Sequence, residues 1–271
     1  MFKFVLNTTL ICPNECSYCP LEKIPQGSYR GPKNMTWEVF EKCVNNCPKG
    51  TTFHFSGLGE PFINPLCTDM ILYAYDQGHH VVCYTTLSHT STEDLEKLSR
   101  VRFGLFQVHV PDKEGLFNEK KLIQPREKYI ALKEKIKKLR ITCVGGKPVD
   151  WAVDIFGDMI EEVPIWPRAG HLDNGLVQIP TFKSVKCGKY LLKHMVWPDG
   201  SVCVCCIDFQ NDFPIGNLQD PNFFKERMQK LEPLIQLQLD PSTDIICKHC
   251  EFAIPLNSEP AYIQIDQIHD P

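Results

Sequence analysis

No run of about 18 apolar residues occurs in the chain, so a membrane-crossing helix is not expected. Basic residues are not in excess: 29 Lys plus Arg face 33 Asp plus Glu, for a formal charge of −4. That balance argues against a basic surface working by counterion release, so neither a nucleic-acid nor a membrane partner is expected. Internal repeats, low-complexity tracts and Gly/Ser linkers are missing, which argues against a solenoid or loosely tethered modules. Residues 1–11 carry Lys3 as their one charge and no small-residue cleavage site, and read as a first strand rather than an export signal. A reducing, cytoplasmic setting is therefore expected, and it disfavours a disulfide framework. What the chain has in quantity is cysteine, 14 in 271 residues. Cys12, Cys16 and Cys19 gather at one end, and Cys187, Cys203, Cys205, Cys206, Cys247 and Cys250 at the other. Metal or iron–sulfur ligation is the reading this distribution favours. Cys43, Cys47, Cys67, Cys83 and Cys143 fall within helix or strand patterns and read as small core hydrophobes.

The chain is long enough, at 43% apolar, for one large domain or two smaller ones. Its first 165 residues alternate between two textures. Apolar and β-branched runs predict strands over 3–11, 51–56, 80–85, 103–110 and 139–144. Helical spacing predicts helices over 36–46, 65–77, 92–100 and 126–138, the first capped by Thr36 and the second ended by Gly78. Strand–helix alternation means parallel strands with crossover helices. Five or six such units fit an open, partial (β/α)6 barrel better than a flat doubly wound sheet, although periodicity by itself admits either. Beyond residue 166 the texture changes. Strand-like pieces at 193–197 and 201–204 flank Pro198-Asp199-Gly200, which has hairpin-turn chemistry. A helix is expected at about 221–231, behind Asp220 and Pro221. The expected division is a core over 1–170, a small C-terminal domain of β-hairpin plus helix over 171–255, and a tail over 256–271 whose IQIDQI reads as an edge strand.

Residues 12–19 read Cys-Pro-Asn-Glu-Cys-Ser-Tyr-Cys, a CxxxCxxC motif directly after the first strand. Three thiolates on one tight loop can hold three corners of a four-iron cube. The fourth iron is then open to a substrate or cosubstrate, whereas structural zinc would want a fourth protein ligand. Pro13, Asn14, Glu15 and Ser17 are not core residues, so a merely buried loop is the weaker reading. The motif, with Tyr18 before its third cysteine, resembles that of the radical S-adenosylmethionine (SAM) superfamily. Ser56-Gly57-Leu58-Gly59-Glu60-Pro61, after the second predicted strand, is similar to the Gly-Glu-Pro motif whose backbone holds the amino group of SAM in that family. Glycines let the main chain approach a ligand closely, and Glu60 would either meet the ammonium or buttress the loop. The resemblance implies a [4Fe–4S] cluster on Cys12, Cys16 and Cys19. It also implies SAM on its open iron, cleavage of SAM to methionine and a 5′-deoxyadenosyl radical, and abstraction of a substrate hydrogen atom. Tyr18, Gly57, Gly59, Glu60, Pro61, Thr85, Thr86 and His109 are the implied cofactor-binding residues. Thr86 and Leu87 depart from the family's Thr-Asn-Gly-like strand end. His109 should share a face with Gln107, either inside a barrel or as a satisfied core histidine.

The later cysteines resemble the C-terminal extension called SPASM or its shorter form, twitch. In that pattern a cysteine precedes a hairpin, a glycine occupies the turn, a ligand follows five residues later, and a distant CxxC completes the set. This implies Cys187, Cys205, Cys247 and Cys250 as ligands of one auxiliary [4Fe–4S] cluster. Alternation alone allows Cys203 as readily as Cys205, and a four-cysteine zinc site is the plain alternative. No cysteine follows Cys250, so the single-cluster twitch form fits best.

Arg168-Ala169-Gly170-His171, between the two parts, is similar to a segment that borders the active cavity in relatives with one auxiliary cluster. Arg168 and His171 are the candidate catalytic residues, with Asp173 behind them; Arg168 could clamp a carboxylate, phosphate or hydroxyl. The lysines between Glu127 and Arg140 read as the solvated face of an outer helix. The layout implies a radical SAM dehydrogenase that oxidises a secondary alcohol of a cyclitol or sugar-like small molecule, its auxiliary cluster accepting an electron. A flavodoxin or ferredoxin-type protein would be the electron donor. The alternatives are a peptide maturase or epimerase and, of another class, a non-catalytic iron–sulfur or zinc module.

Overall fold

The structure, a computed structural model, describes residues 2–21, 27–117, 126–172, 175–188 and 193–256. The tail expected as an edge strand and Asp173 lie outside the described residues. Strands β1 (Lys3–Leu6), β2 (Thr52–Phe55), β3 (His80–Thr85), β4 (Leu105–Val110), β5 (Leu139–Val144) and β6 (Ile160–Val163) follow one another in a parallel sheet in sequence order. Helices α1 (Trp37–Asn46), α2 (Cys67–Asp76), α3 (Thr92–Leu98), α4 (Glu127–Lys135) and α5 (Asp150–Phe156) supply the crossovers. This is the six-stranded parallel sheet of a partial (β/α)6 barrel.

Local chemistry accounts for two of the helix starts. Thr36 caps α1 by accepting from Val39 N at 3.3 Å. Ser91 and Asp94 form a reciprocal capping box on α3. Alternation along the strands sorts their two faces. Phe4, Leu6, Phe53, Phe55, Val81, Cys83, Phe106, Val108, Ile141 and Cys143 face the helices in one core. The five cysteines read as core hydrophobes are all buried.

Beyond β6 the chain forms β7 (Val185–Cys187), β8 (Lys193–Val196), β9 (Ser201–Cys203), β10 (Pro214–Asn217), α6 (Phe223–Leu239) and β11 (Ala253–Pro255). The hairpin β8–β9 closes through Pro198-Asp199-Gly200: Gly200 N donates to Trp197 O at 2.8 Å, and Gly200 takes φ +83°, which a glycine adopts without strain. β8 pairs in parallel with β1, so the hairpin extends the main sheet, while β7 and β11 form a separate two-stranded ribbon.

Several elements differ from the sequence expectation. β1 ends at Leu6 rather than residue 11, because Asn7 turns its side chain to Val196 O and Leu58 N. α6 runs on to Leu239 through Pro233, because Leu231, Leu234 and Gln238 bury one face of it. α5 and β6 fall in a stretch to which no element was assigned; β6 reads Ile-Glu-Glu-Val and has no alternation to reveal it.

Candidate functional site

Cys12, Cys16 and Cys19 lie on the loop beyond the C-terminal end of β1, each half-buried. Their loop is docked rather than free. Ser17 N donates to Leu116 O at 2.9 Å. Leu116 is held in turn by Asp112, whose carboxylate accepts from Leu116 N at 2.9 Å and Phe117 N at 2.6 Å. Burial pushes the Tyr18 phenol up, with the neighbouring Cys16 adding to the shift. Burial likewise pushes the Cys12 thiol up to about 11 and the Cys16 thiol up to about 12, with the charge of Cys19 adding to both. Ligating thiolates so placed need a cation beside them, which iron provides. Among the described residues, no three His, Cys, Asp or Glu side chains converge as ligands of a single metal ion. A four-iron cube takes one thiolate per iron and needs no such convergence. Asn14 Oδ1 is buried beside the loop with no partner, while its Nδ2 donates to Thr86 Oγ1 at 2.9 Å. The donor set thus fits a cube held at three corners.

Residues 57–61 pack against the chain leading to those cysteines. Gly57 has φ +122°, and a Cβ there would stand 2.2 Å from Asn7 Oδ1; one on Gly59 would stand 2.3 Å from Thr9 O. Only glycine permits either approach. Glu60 N donates to Ile11 O at 3.0 Å, and Thr8 Oγ1 donates to Pro61 O at 3.0 Å. The Glu60 carboxylate is buried. One oxygen accepts from Thr85 Oγ1, the other from Thr86 N at 2.8 Å and Thr86 Oγ1 at 2.7 Å. Burial raises its pKa, against the opposing pull of these bonds. Of the two roles open to Glu60, this is the geometry of a buttress. Leu87 takes φ +61° and is fully buried. Two residues of α4 steady this strand end: Tyr129 Oη donates to Thr86 O at 3.3 Å and Lys128 Nζ to Leu87 O at 3.5 Å. Lys128 is thereby an exception to the solvated lysine face expected of that helix.

Gln107 and His109 share the sheet face opposite the helix-packed core. Thr142 Oγ1 lies 3.0 Å from His109 Nδ1 and accepts from Gln107 Nε2 at 3.2 Å. Burial, then the charges of Arg168 and Arg140, hold the His109 pKa down at about 4, so its ring is neutral. Arg168, Ala169 and Gly170 are consecutive left-handed residues with φ of +52°, +52° and +85°. L-residues disfavour such a turn by about 1–2 kcal/mol each. Ala169 N is held by Glu251 Oε2 at 3.0 Å, next to Cys250. The His171 ring packs against Phe209 at 5.3 Å between centroids.

Cys187, Cys205, Cys247 and Cys250 come from β7, the loop after β9 and the turn after α6. All four line one cavity of about 390 Å³, part of it open to solvent, with Ala169, Ile207 and Gln238 also in its wall. Cys203 is not in that wall; it is fully buried, with its thiol toward Cys205 O and Asp208 O. Four thiols around one largely apolar cavity fit a second cube. Sequence reading missed Asn7, Asn14, Asp112, Lys128, Tyr129, Gln238 and Glu251. Asp112 and Gln238 act on partners within nine residues, whereas the others act on partners far along the chain.

The model of the radical SAM superfamily matches residues 6–147. Among solved structures, BtrN in complex with AdoMet (SAM) and 2-DOIA superposes with a TM-score of 0.60 at 16% identity, covering 93% of both chains. anSMEcpe with bound AdoMet gives 0.58 at 16% identity, covering 92% of this chain and 86% of that one. SuiB of Streptococcus suis bound to S-adenosylmethionine gives 0.57 at 12% identity, covering 93% and 71%. At these identities the likeness shows the fold. No curated protein matches the sequence. A superfamily model that spans more than half of the chain, on the parallel sheet and cysteine loop described above, shows that the chain belongs to the radical SAM superfamily.

Proposed function

We propose that the protein is a twitch-type radical SAM dehydrogenase, with its SAM-cleaving core in 1–170 and an auxiliary-cluster module in 171–255. Membership of the superfamily implies SAM and one [4Fe–4S] cluster. The auxiliary cluster, the substrate and the residue roles are this proposal's own. Its main support is the cavity that collects Cys187, Cys205, Cys247 and Cys250 from three separate segments.

Cys12, Cys16 and Cys19 would hold a cluster able to supply the electron that cleaves SAM, and Cys187, Cys205, Cys247 and Cys250 one able to accept an electron. Oxidation of an alcohol to a ketone gives up one hydrogen atom, one proton and one electron, so the auxiliary site balances the reaction. The residues of this chain do the rest. Glu60 fixes Thr85 and Thr86, and the Gly57–Pro61 backbone and His109 border the SAM site. Arg168, presented by its left-handed turn, orients the substrate hydroxyl, and His171 takes the proton. An alcohol on a cyclitol or sugar-like molecule is the proposed substrate, and a flavodoxin or ferredoxin-type protein the proposed donor. Mutual coverage of 93% with BtrN, a structure holding 2-DOIA, supports a small-molecule substrate. A peptide substrate is the second reading, favoured by the same fold in anSMEcpe with its Cp18Cys peptide and in SuiB with SuiA. No described helix is long and apolar enough to cross a membrane.

Anaerobic reconstitution tests the proposal. About eight irons per chain are expected, falling to about four in a Cys12/Cys16/Cys19→Ala variant that no longer forms 5′-deoxyadenosine. Cys205→Ser should lose auxiliary iron while Cys203→Ser keeps it. About four irons plus one zinc in the native protein would remove the electron acceptor and sink the dehydrogenase.

A further inference from the structure

Gln238 is a polar side chain on the buried face of α6, only 3% exposed, in the wall of the cavity formed by the four cysteines. The neighbouring wall is apolar, contributed by Val185, Ile207, Ile246 and Phe252. Burying an amide there costs free energy unless it is hydrogen-bonded. Its Nε2 donates to Cys247 Sγ at 3.2 Å. A thiolate only accepts, so the nitrogen is the end of the amide that must face it. The geometry is held on both sides. Ser184 Oγ donates to the carbonyl of Leu239, the residue after Gln238, at 2.9 Å. Buried Lys248, the residue after Cys247, donates to Asp240 O and Thr243 O, each at 2.5 Å, and to Thr243 Oγ1 at 2.9 Å. These bonds close the loop that joins α6 to Cys247.

Building on the auxiliary-cluster reading, we propose that Gln238 is a positioning and tuning residue: its amide N–H on the Cys247 sulfur raises the reduction potential of the auxiliary cluster. The physical reason is a difference between charge states. An electron added to the cube increases negative charge on its sulfurs, and a donor aimed at one of them stabilises the reduced form more than the oxidised form. Such contacts around a metal site tune it as much as the ligands do. For an alcohol-oxidising enzyme the consequence is direct, because the auxiliary cluster must accept the substrate's electron. The backbone donor Phe252 N, 3.4 Å from Cys250 Sγ, acts in the same sense and stays in place under any substitution but proline. Gln238 is the side-chain counterpart.

The test uses full-length reconstituted protein without substrate: wild type, Gln238→Met and Gln238→Glu, in an anaerobic redox titration followed by electron paramagnetic resonance. Added SAM perturbs the signal of the cluster on Cys12, Cys16 and Cys19, and so separates the two. The auxiliary midpoint should move to more negative potential in Gln238→Met and further in Gln238→Glu, where an anion replaces the donor. The other cluster should keep its midpoint, which a general disturbance of the fold would not allow. A second measurement needs no variant to load iron: pulsed resonance on wild type labelled with 15N at glutamine side chains should show a 15N coupling to the reduced auxiliary cluster. Unmoved midpoints in both iron-loaded variants, or no 15N coupling in wild type, overturn the assignment while leaving the auxiliary cluster intact. Only four irons in wild type would overturn the auxiliary cluster and this inference together.

Discussion

Replacing Glu60 by Gln separates a buttress from a direct ligand of the cosubstrate. In the native loop the carboxylate accepts three protons, from Thr85 Oγ1, Thr86 N and Thr86 Oγ1. An amide of the same shape can accept on one side only. If its oxygen faces Thr86 N, its NH2 faces Thr85 Oγ1, which already accepts from Leu87 N at 2.8 Å. The Thr85 hydroxyl proton then has no acceptor. If the amide is turned over, two N–H groups oppose each other at Thr86. Either way one buried donor is stranded, at a cost of about 1–3 kcal/mol. That cost falls on the end of β3 and should show as local opening. Amide exchange at Thr86 should therefore accelerate about 5- to 150-fold, at tenfold per 1.4 kcal/mol, as read by hydrogen–deuterium exchange of the peptide spanning residues 85–90. Thr86→Val should produce the same loosening, and the two substitutions should not add in a double-mutant cycle on SAM cleavage. Unchanged protection at Thr86 with SAM cleavage abolished, or strict additivity of the two variants, would refute the buttress and place Glu60 on the ligand itself.

Two further outcomes are expected. His194 is fully buried, with Nε2 accepting from Arg227 Nε at 2.7 Å, and burial holds its pKa down at about 4. The unfolded chain takes up that proton near pH 6.5 while the folded one does not, so stability present above 6.5 is lost as pH falls towards 4, by roughly 3 kcal/mol for this residue; thermal midpoints in His194→Gln should show a shallower loss over that window, and an identical slope would contradict it. Leu87→Gly relieves a left-handed φ worth about 1 kcal/mol but removes a fully buried side chain worth about 2–5 kcal/mol, so the thermal midpoint should fall; a rise would mean that strain outweighs packing at the end of β3.

What could be read from the sequence depended on how far apart the interacting residues are. The cysteine loop, the Gly57–Pro61 turn, the Thr36 cap and the Pro198–Gly200 hairpin are local patterns, and each appears in the structure where the sequence places it. α5 and β6 escaped for a physical reason. α5 buries just Ala152 and Phe156, and the two glutamates of β6 face solvent, Glu161 pairing with Arg140 and Glu162 with Lys147. Such edge elements take their order from neighbours rather than from an apolar stripe. Pro233 gave a misleading local signal: a proline inside a helix forfeits a backbone bond, yet packing of Leu231 and Leu234 carries α6 past it. The supporting residues of the site were invisible because their partners are remote. Asn7 bonds to Val196, Asn14 to Thr86 and Ala169 to Glu251, and no window of sequence contains both members of any of these pairs.

Asn7 also explains how the two cysteine sets are held at a fixed separation. Its backbone N donates to Val196 O at 3.0 Å and its Nδ2 to the same oxygen at 3.2 Å, while its Oδ1 accepts from Leu58 N. One residue therefore joins the strand that leads into Cys12, the loop that carries Gly57 and Gly59, and the hairpin that leads to Cys205. The parallel ladder behind it runs from Lys3 opposite Lys193 to Leu6 opposite Val196. A linker packed only by side chains could let the two sets drift, as loosely packed domains do. A continuous backbone ladder does not, because any hinge between them would break main-chain bonds in the interior of the sheet and strand buried N–H groups. The register of β1 on β8 thus fixes the loop that carries Cys12 against the hairpin that leads to Cys205.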